Sequence, residues 1–217
     1  MVSNAPLQKK MTYQYSLFRE TYQHLLIRYS LGDEVLKLDV YFERILTALE
    51  KYRNIAVEIV KPGQYTFPRF SELEDYVVSM WLISLAIVLN IDEAKFIRLI
   101  GCIGNIGKDA IFERLVATRV KIRPLGSALA FPALYQSLYE AIDATEPERS
   151  KLVCQFLTEW YGNMKPMYWY DCHKGPEGGG FFGYWALEVA GVVKAFDIDD
   201  SFFRDLPHYP RFNYLNP

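Results

Sequence analysis

Apolar side chains recur at three- and four-residue intervals along almost the whole chain, and this spacing limits the fold more than any other feature. Between Tyr13 and Tyr29 the stripe runs through Leu17, Tyr22, Leu25 and Leu26, and Gly32 ends it. Asp33 opens a second helical pattern through Leu36, Val40, Ile45, Leu49 and Tyr52, which reaches about Val60 before Lys61-Pro62-Gly63 stops it. Ser71-Glu72-Leu73-Glu74 has the spacing of a capping box, in which a hydroxyl and a carboxylate satisfy each other's orphan amides. A core helix follows from Glu72 to Leu89. Its run from Tyr76 to Leu89 is apolar almost throughout, yet shorter than the roughly 20 residues that a membrane span requires.

The rest of the chain repeats the pattern. Asp92 is placed to cap a helix that runs to the glycines at 101, 104 and 107. Another covers Lys108 to Val120 and stops before Arg123-Pro124. Pro132 and Pro147 suit first-turn positions, for helices carrying Leu134, Leu138 and Ile142, then Val153, Phe156 and Trp160. A loop rich in glycine and aromatics from Gly162 to Gly180 leads to a long helix predicted over Phe181–Phe196. A short helix near Ser201–Asp205 and a proline-containing tail follow. No run alternates with the period of two that a strand requires. The chain therefore reads as all-α, with about nine or ten helices. They form one compact domain or two helical halves, 1–123 and 124–217, that share a core. Asn90-Ile91-Asp92-Glu93 and Asp197-Ile198-Asp199-Asp200 form a faint internal echo, followed at matching offsets by Phe96 and Phe203.

Half of the 217 residues are hydrophobic and 16% are aromatic, enough for a large interior and incompatible with a disordered chain. Met1 to Lys10 is polar and unlike a signal peptide, and the three cysteines (Cys102, Cys154, Cys172) have no paired spacing. Both features predict a cytoplasmic protein with free thiols. Charge is uneven: to Arg123 there are 17 basic and 14 acidic residues, and from Pro124 onward 7 basic and 12 acidic. An acidic half repels nucleic acid and suits a basic partner, although acids also solubilise an aromatic-rich region.

Chemistry-bearing patterns are scarce. His24, His173 and His208 are scattered, and no set of four converging metal ligands is spaced along the chain. There is no nucleophile elbow, and Gly101, Gly104 and Gly107 lack both the preceding strand and the spacing of a phosphate loop. The expectation is no catalytic residue, no metal and no cofactor. A carboxylate site assembled only in the fold, and a helical scaffold or regulator, are the alternatives to a binding protein. Glu188 stands out because its neighbours on a helix starting at Phe181 are Tyr184, Trp185, Gly191 and Val192. A carboxylate on so apolar a face must be paired or hydrogen-bonded. It is expected to be a buried structural group satisfied by an arginine, a tyrosine hydroxyl or the Trp185 indole.

The stretch from Trp169 to Pro210 carries Gly183-Tyr184-Trp185, Glu188, Lys194, Ile198-Asp199-Asp200-Ser201 and Tyr209-Pro210. In order and spacing it resembles the PoNi family of bacterial immunity proteins, which neutralise PoNe-type polymorphic nuclease effectors. The N-terminal half is similar through Tyr76, the Trp81–Ala86 run and Ile91-Asp92. Leu187, His208 and the glycines 178–180 depart from the pattern. The resemblance implies an all-helical fold and a cytoplasmic role in the producing cell. It also implies a DNase toxin as partner, delivered by type VI secretion or a related system. It brings no nucleic-acid or membrane partner and leaves a homodimer open. An inhibitor of a DNase can mimic phosphate charge. Asp143, Glu146, Glu148, Asp197, Asp200 and Asp205 are accordingly the candidate toxin-binding residues.

Overall fold

A computed structural model describes residues 5–61, 66–121, 123–176 and 180–211. Pro62, Gly63, Gly178 and Gly179 lie outside these residues. Eight α-helices account for most of the described chain: α1 Ala5–Ser30, α2 Asp39–Ile59, α3 Leu73–Val88, α4 Glu93–Ile103, α5 Ala110–Ala117, α6 Pro132–Ala141, α7 Glu148–Asn163 and α8 Leu187–Phe196. Two short 3-10 turns, Val35–Lys37 and Cys172–Lys174, interrupt the connections, and no strand occurs among the described residues. No helix is long and apolar enough to cross a membrane.

Helix α3 is the axis of the molecule. Every residue from Asp75 to Val88 is buried, so the apolar run is a core helix covered on all sides. Helices α1 and α2 form one antiparallel hairpin, α6 and α7 another, while α8 packs along α3. Gly191 marks the crossing, because a side chain there would strike the Ser84 side chain and backbone.

Five local expectations need correction. Asp33 does not start α2; it accepts a 2.6 Å ion pair from Arg28 at the end of α1, and α2 begins six residues later. The capping box does not form, because α3 starts at Leu73 and places Glu72 at the N-cap without a side-chain bond. Buried Asp75 takes over, accepting the backbone N–H of Arg69 at 2.8 Å. Helix α8 starts at Leu187, six residues later than predicted. Gly183 sits at φ +102°, and the Trp185 indole donates to Ser30 Oγ at 2.8 Å, so residues 181–186 cross the end of α1 as extended chain. Pro147 occupies the N-cap of α7 rather than its first turn, and residues 201–208 form turns instead of a helix.

The internal echo has a geometric counterpart. Asn90 and Asp197 end α3 and α8 in the left-handed conformation, at φ 49° and 50°. The next residue then donates five residues back in each case, Ile91 to Ala86 O at 3.1 Å and Ile198 to Val193 O at 3.0 Å. Both isoleucines are buried, and Phe96 and Phe203 are fully buried beyond them.

Candidate functional site

Glu188 lies in the first turn of α8 with no exposed surface. Its Oε1 accepts the Tyr135 hydroxyl from α6 at 2.8 Å. The indoles of Trp160 on α7 and Trp81 on α3 also bear on it, and both favour its charged form. Neither indole N–H completes a hydrogen bond, and Oε2 is likewise left without one. Burial outweighs these groups and raises the carboxyl to about 7. The expectation of a buried structural carboxylate fits this geometry, with the Tyr135 hydroxyl as its partner. Trp185, the neighbour along the chain, points to Ser30 instead. Tyr135 is 53 residues away in sequence, and nothing local could have nominated it.

The six surface acids fall into three places. Asp143, just past α6, takes a bidentate grip from Arg114, both contacts 2.6 Å, which holds its carboxyl below the usual range. That guanidinium, on α5, also lies 5.4 Å over the Phe196 ring at the end of α8, and exposed Asp197 is the next residue. Glu146 caps α7, accepting the Ser150 hydroxyl at 2.6 Å and its N–H at 3.2 Å, and Glu148 pairs with Lys151 at 3.4 Å. Beyond α8, Asp200 binds Arg204 and the Tyr209 hydroxyl, and Asp205 binds Arg211. Asp199 accepts the backbone N–H of Ser201 at 2.9 Å and its hydroxyl at 3.0 Å, the local bonds of a turn rather than of a helix cap. Of the six candidates, Asp197 alone has no side-chain hydrogen bond or ion pair among the described residues; its backbone N–H closes α8 on Val193 O.

One buried ion pair had no sequence signal. Arg123 reaches Glu113 at 2.7 Å with both side chains nearly sealed, and its guanidinium also donates to Gly104 O and Ile100 O at the end of α4. The glycine-marked connection between α4 and α5 is thus tied down by a charge. Among the described residues, no three of His, Cys, Asp and Glu stand close enough to share a metal ion.

Two family models match the chain almost end to end. The N-terminal model of the PoNe immunity proteins (PoNi) covers residues 4–101, and the C-terminal model covers 107–212. The chain belongs to the PoNi family. Neither the curated proteins nor the solved structures yield a match. As a PoNi member the protein is an immunity protein against PoNe nuclease effectors. Both of its matched segments contribute to the core, since α3 lies in the first and α8 in the second.

Proposed function

We propose that this protein acts in the cytoplasm of the producing cell by binding a cognate PoNe-type DNase and blocking it, with no catalysis of its own. The effector is one delivered by type VI secretion or a related route. The observation that carries the reading is the match of both family models across the chain. The acidic edge supports it. Arg114 holds Asp143 and lies over Phe196, the residue before Asp197, and Asp200 and Asp205 follow beyond α8. Surface ion pairs of this kind contribute little to stability, about 0–1 kcal/mol, so a basic partner can compete for them. Asp197 leads the candidates because it is exposed and has no competitor on its own chain among the described residues. Glu146 and Glu148 are the weakest, since both serve the start of α7.

Co-expression decides the matter. A susceptible strain expressing a cognate PoNe-type nuclease should survive only when this protein is present, and the two should co-purify. Survival without co-purification, or co-purification with the nuclease still active, would sink the proposal.

A further inference from the structure

The aromatic residues of the α7–α8 connection divide into two sets. Trp169 and Phe182 enter the core beside Trp81 and Trp160. The others remain at the surface in continuous contact. Tyr161 stacks on Tyr170 with ring centroids 4.7 Å apart, Tyr184 meets Tyr161 at 4.9 Å, and Phe181 stands edge-on to Tyr184 at 4.8 Å. His173 adds a further edge contact on Tyr184 at 5.4 Å. Phe181 is 46% exposed, although a phenylalanine in a 217-residue helical protein has ample core to enter.

Polar clamps hold the face rigid. The Tyr184 hydroxyl contacts His173 Nδ1 at 2.7 Å and accepts the His173 backbone N–H at 3.2 Å. The Tyr161 hydroxyl donates to Asp171 at 2.7 Å. Lys174 donates to the same carboxylate at 2.8 Å, and together they keep it below its usual range and anionic. A face whose rotamers are already set loses little entropy on binding, which is how aromatic anchors become binding hot spots.

The charge around the rings indicates what covers them. Three other aromatic rings at or near the surface carry an arginine: Arg19 over Tyr168 at 4.6 Å, Arg44 over Tyr41 at 5.5 Å, Arg114 over Phe196 at 5.4 Å. Among the described residues, no guanidinium lies over Tyr161, Tyr170, Tyr184 or Phe181. The nearby ammonium of Lys174 is already paired with Asp171, which leaves an electron-rich face with no arginine over it in the half of the chain that carries the acidic excess.

Resting on the immunity reading above, we propose that this face receives arginine or lysine side chains from the DNA-binding surface of the nuclease. The aromatic rings then provide affinity, and the acidic edge steers the encounter.

The test measures binding of the full chain to a cognate PoNe-type nuclease domain, carrying an inactivating substitution, by biolayer interferometry. Phe181→Ala and Tyr170→Ala should each weaken binding about tenfold or more, with Tm held within about 2 °C. Phe181→Lys should weaken it further by repulsion, and Phe181→Tyr should restore it. If Tyr170→Ala unfolds the protein, Phe181→Lys at its exposed position still tests the face. Wild-type binding with all Phe181 variants within about twofold of it would overturn the inference and leave the immunity reading intact. Absence of wild-type binding would instead strike the immunity reading. A wild-type dimer dispersed by Phe181→Lys would assign the face to a second copy and overturn the inference.

Discussion

Asp197→Asn separates stability from binding at one atom. Asp197 follows the last turn of α8 in the left-handed conformation, where glycine and asparagine are the favoured residues. Its charge lies at the negative end of the helix dipole, and no cation on the chain compensates it among the described residues. The molecule supplies its own control. At the equivalent end of α3, with φ within one degree, the residue is Asn90, whose amide oxygen accepts from Arg119 at 3.3 Å. Removing the charge at 197 should stabilise the protein by about 0.3–1 kcal/mol, the usual size of a charge at a helix end. For a chain of this length that is a Tm rise of roughly 1–4 °C, visible by calorimetry at low salt and smaller at high salt. The same change should slow association with the nuclease and flatten its salt dependence, and Asp197→Lys should do both more strongly. A lower Tm for Asp197→Asn would refute the local reasoning. A higher Tm with association unchanged would show that Asp197 is not a contact and that the acidic edge only solubilises.

Three other outcomes are expected. Glu188 has its folded carboxyl raised to about 7 from an ordinary 4.5, so it contributes most at acid pH. Stability should fall by about 3 kcal/mol as pH rises from 4.5 through 7. Glu188→Gln should flatten that slope in urea titrations at pH 5 and 8, and a wild type more stable at pH 8 would contradict the sign. Glu188→Ala should be destabilised by about 3 kcal/mol, from the cavity and the stranded Tyr135 hydroxyl. Arg123→Ala strands a sealed Glu113 carboxylate and should lower the unfolding free energy by about 3–5 kcal/mol; a loss under about 1 kcal/mol would show that water reaches the pair. The purified protein should leave DNA uncut with magnesium or manganese, and cleavage that a point substitution in this chain abolishes would reveal an enzyme.

What the sequence made legible follows the range of the interactions involved. Helix faces are written in the local spacing of side chains. The buried run Tyr76–Leu89, the Asp92 cap on the Lys95 N–H at 2.9 Å and the proline at the start of α6 are therefore readable. Local pattern fails where tertiary contacts outvote it. Gly183 with a left-handed φ and Trp185 docked on Ser30 hold six residues out of the helix that the apolar pattern alone would have extended through them. Asp75 accepts from Arg69 because α3 enters the core one turn into its length, which moves the cap by a residue. The Tyr135 bond to Glu188 and the Arg123 bond to Glu113 are pairings between elements, and neither residue type nor spacing announces them.

The location of Glu188 ties these observations to the way the family is built. The two matched segments of the chain meet at residues 101–107, yet the groups around its carboxyl come from both, Trp81 from the first and Tyr135 and Trp160 from the second. Tyr76, fully buried on α3, stands edge-on to Tyr135 with centroids 5.0 Å apart, and its hydroxyl faces Asp109 at the start of α5. A core shared in this way cannot be divided at the connection without exposing α3, whose surface is apolar on every side. The polar centre then gives register to an interior of otherwise interchangeable hydrophobes, because sliding α8 by one residue would bury Glu188 without its hydroxyl partner. The surface is thereby freed from structural duty at the two places where binding is proposed. Asp197 holds a charge that its helix does not favour, and Phe181 keeps nearly half of its surface exposed beside Tyr184 and His173.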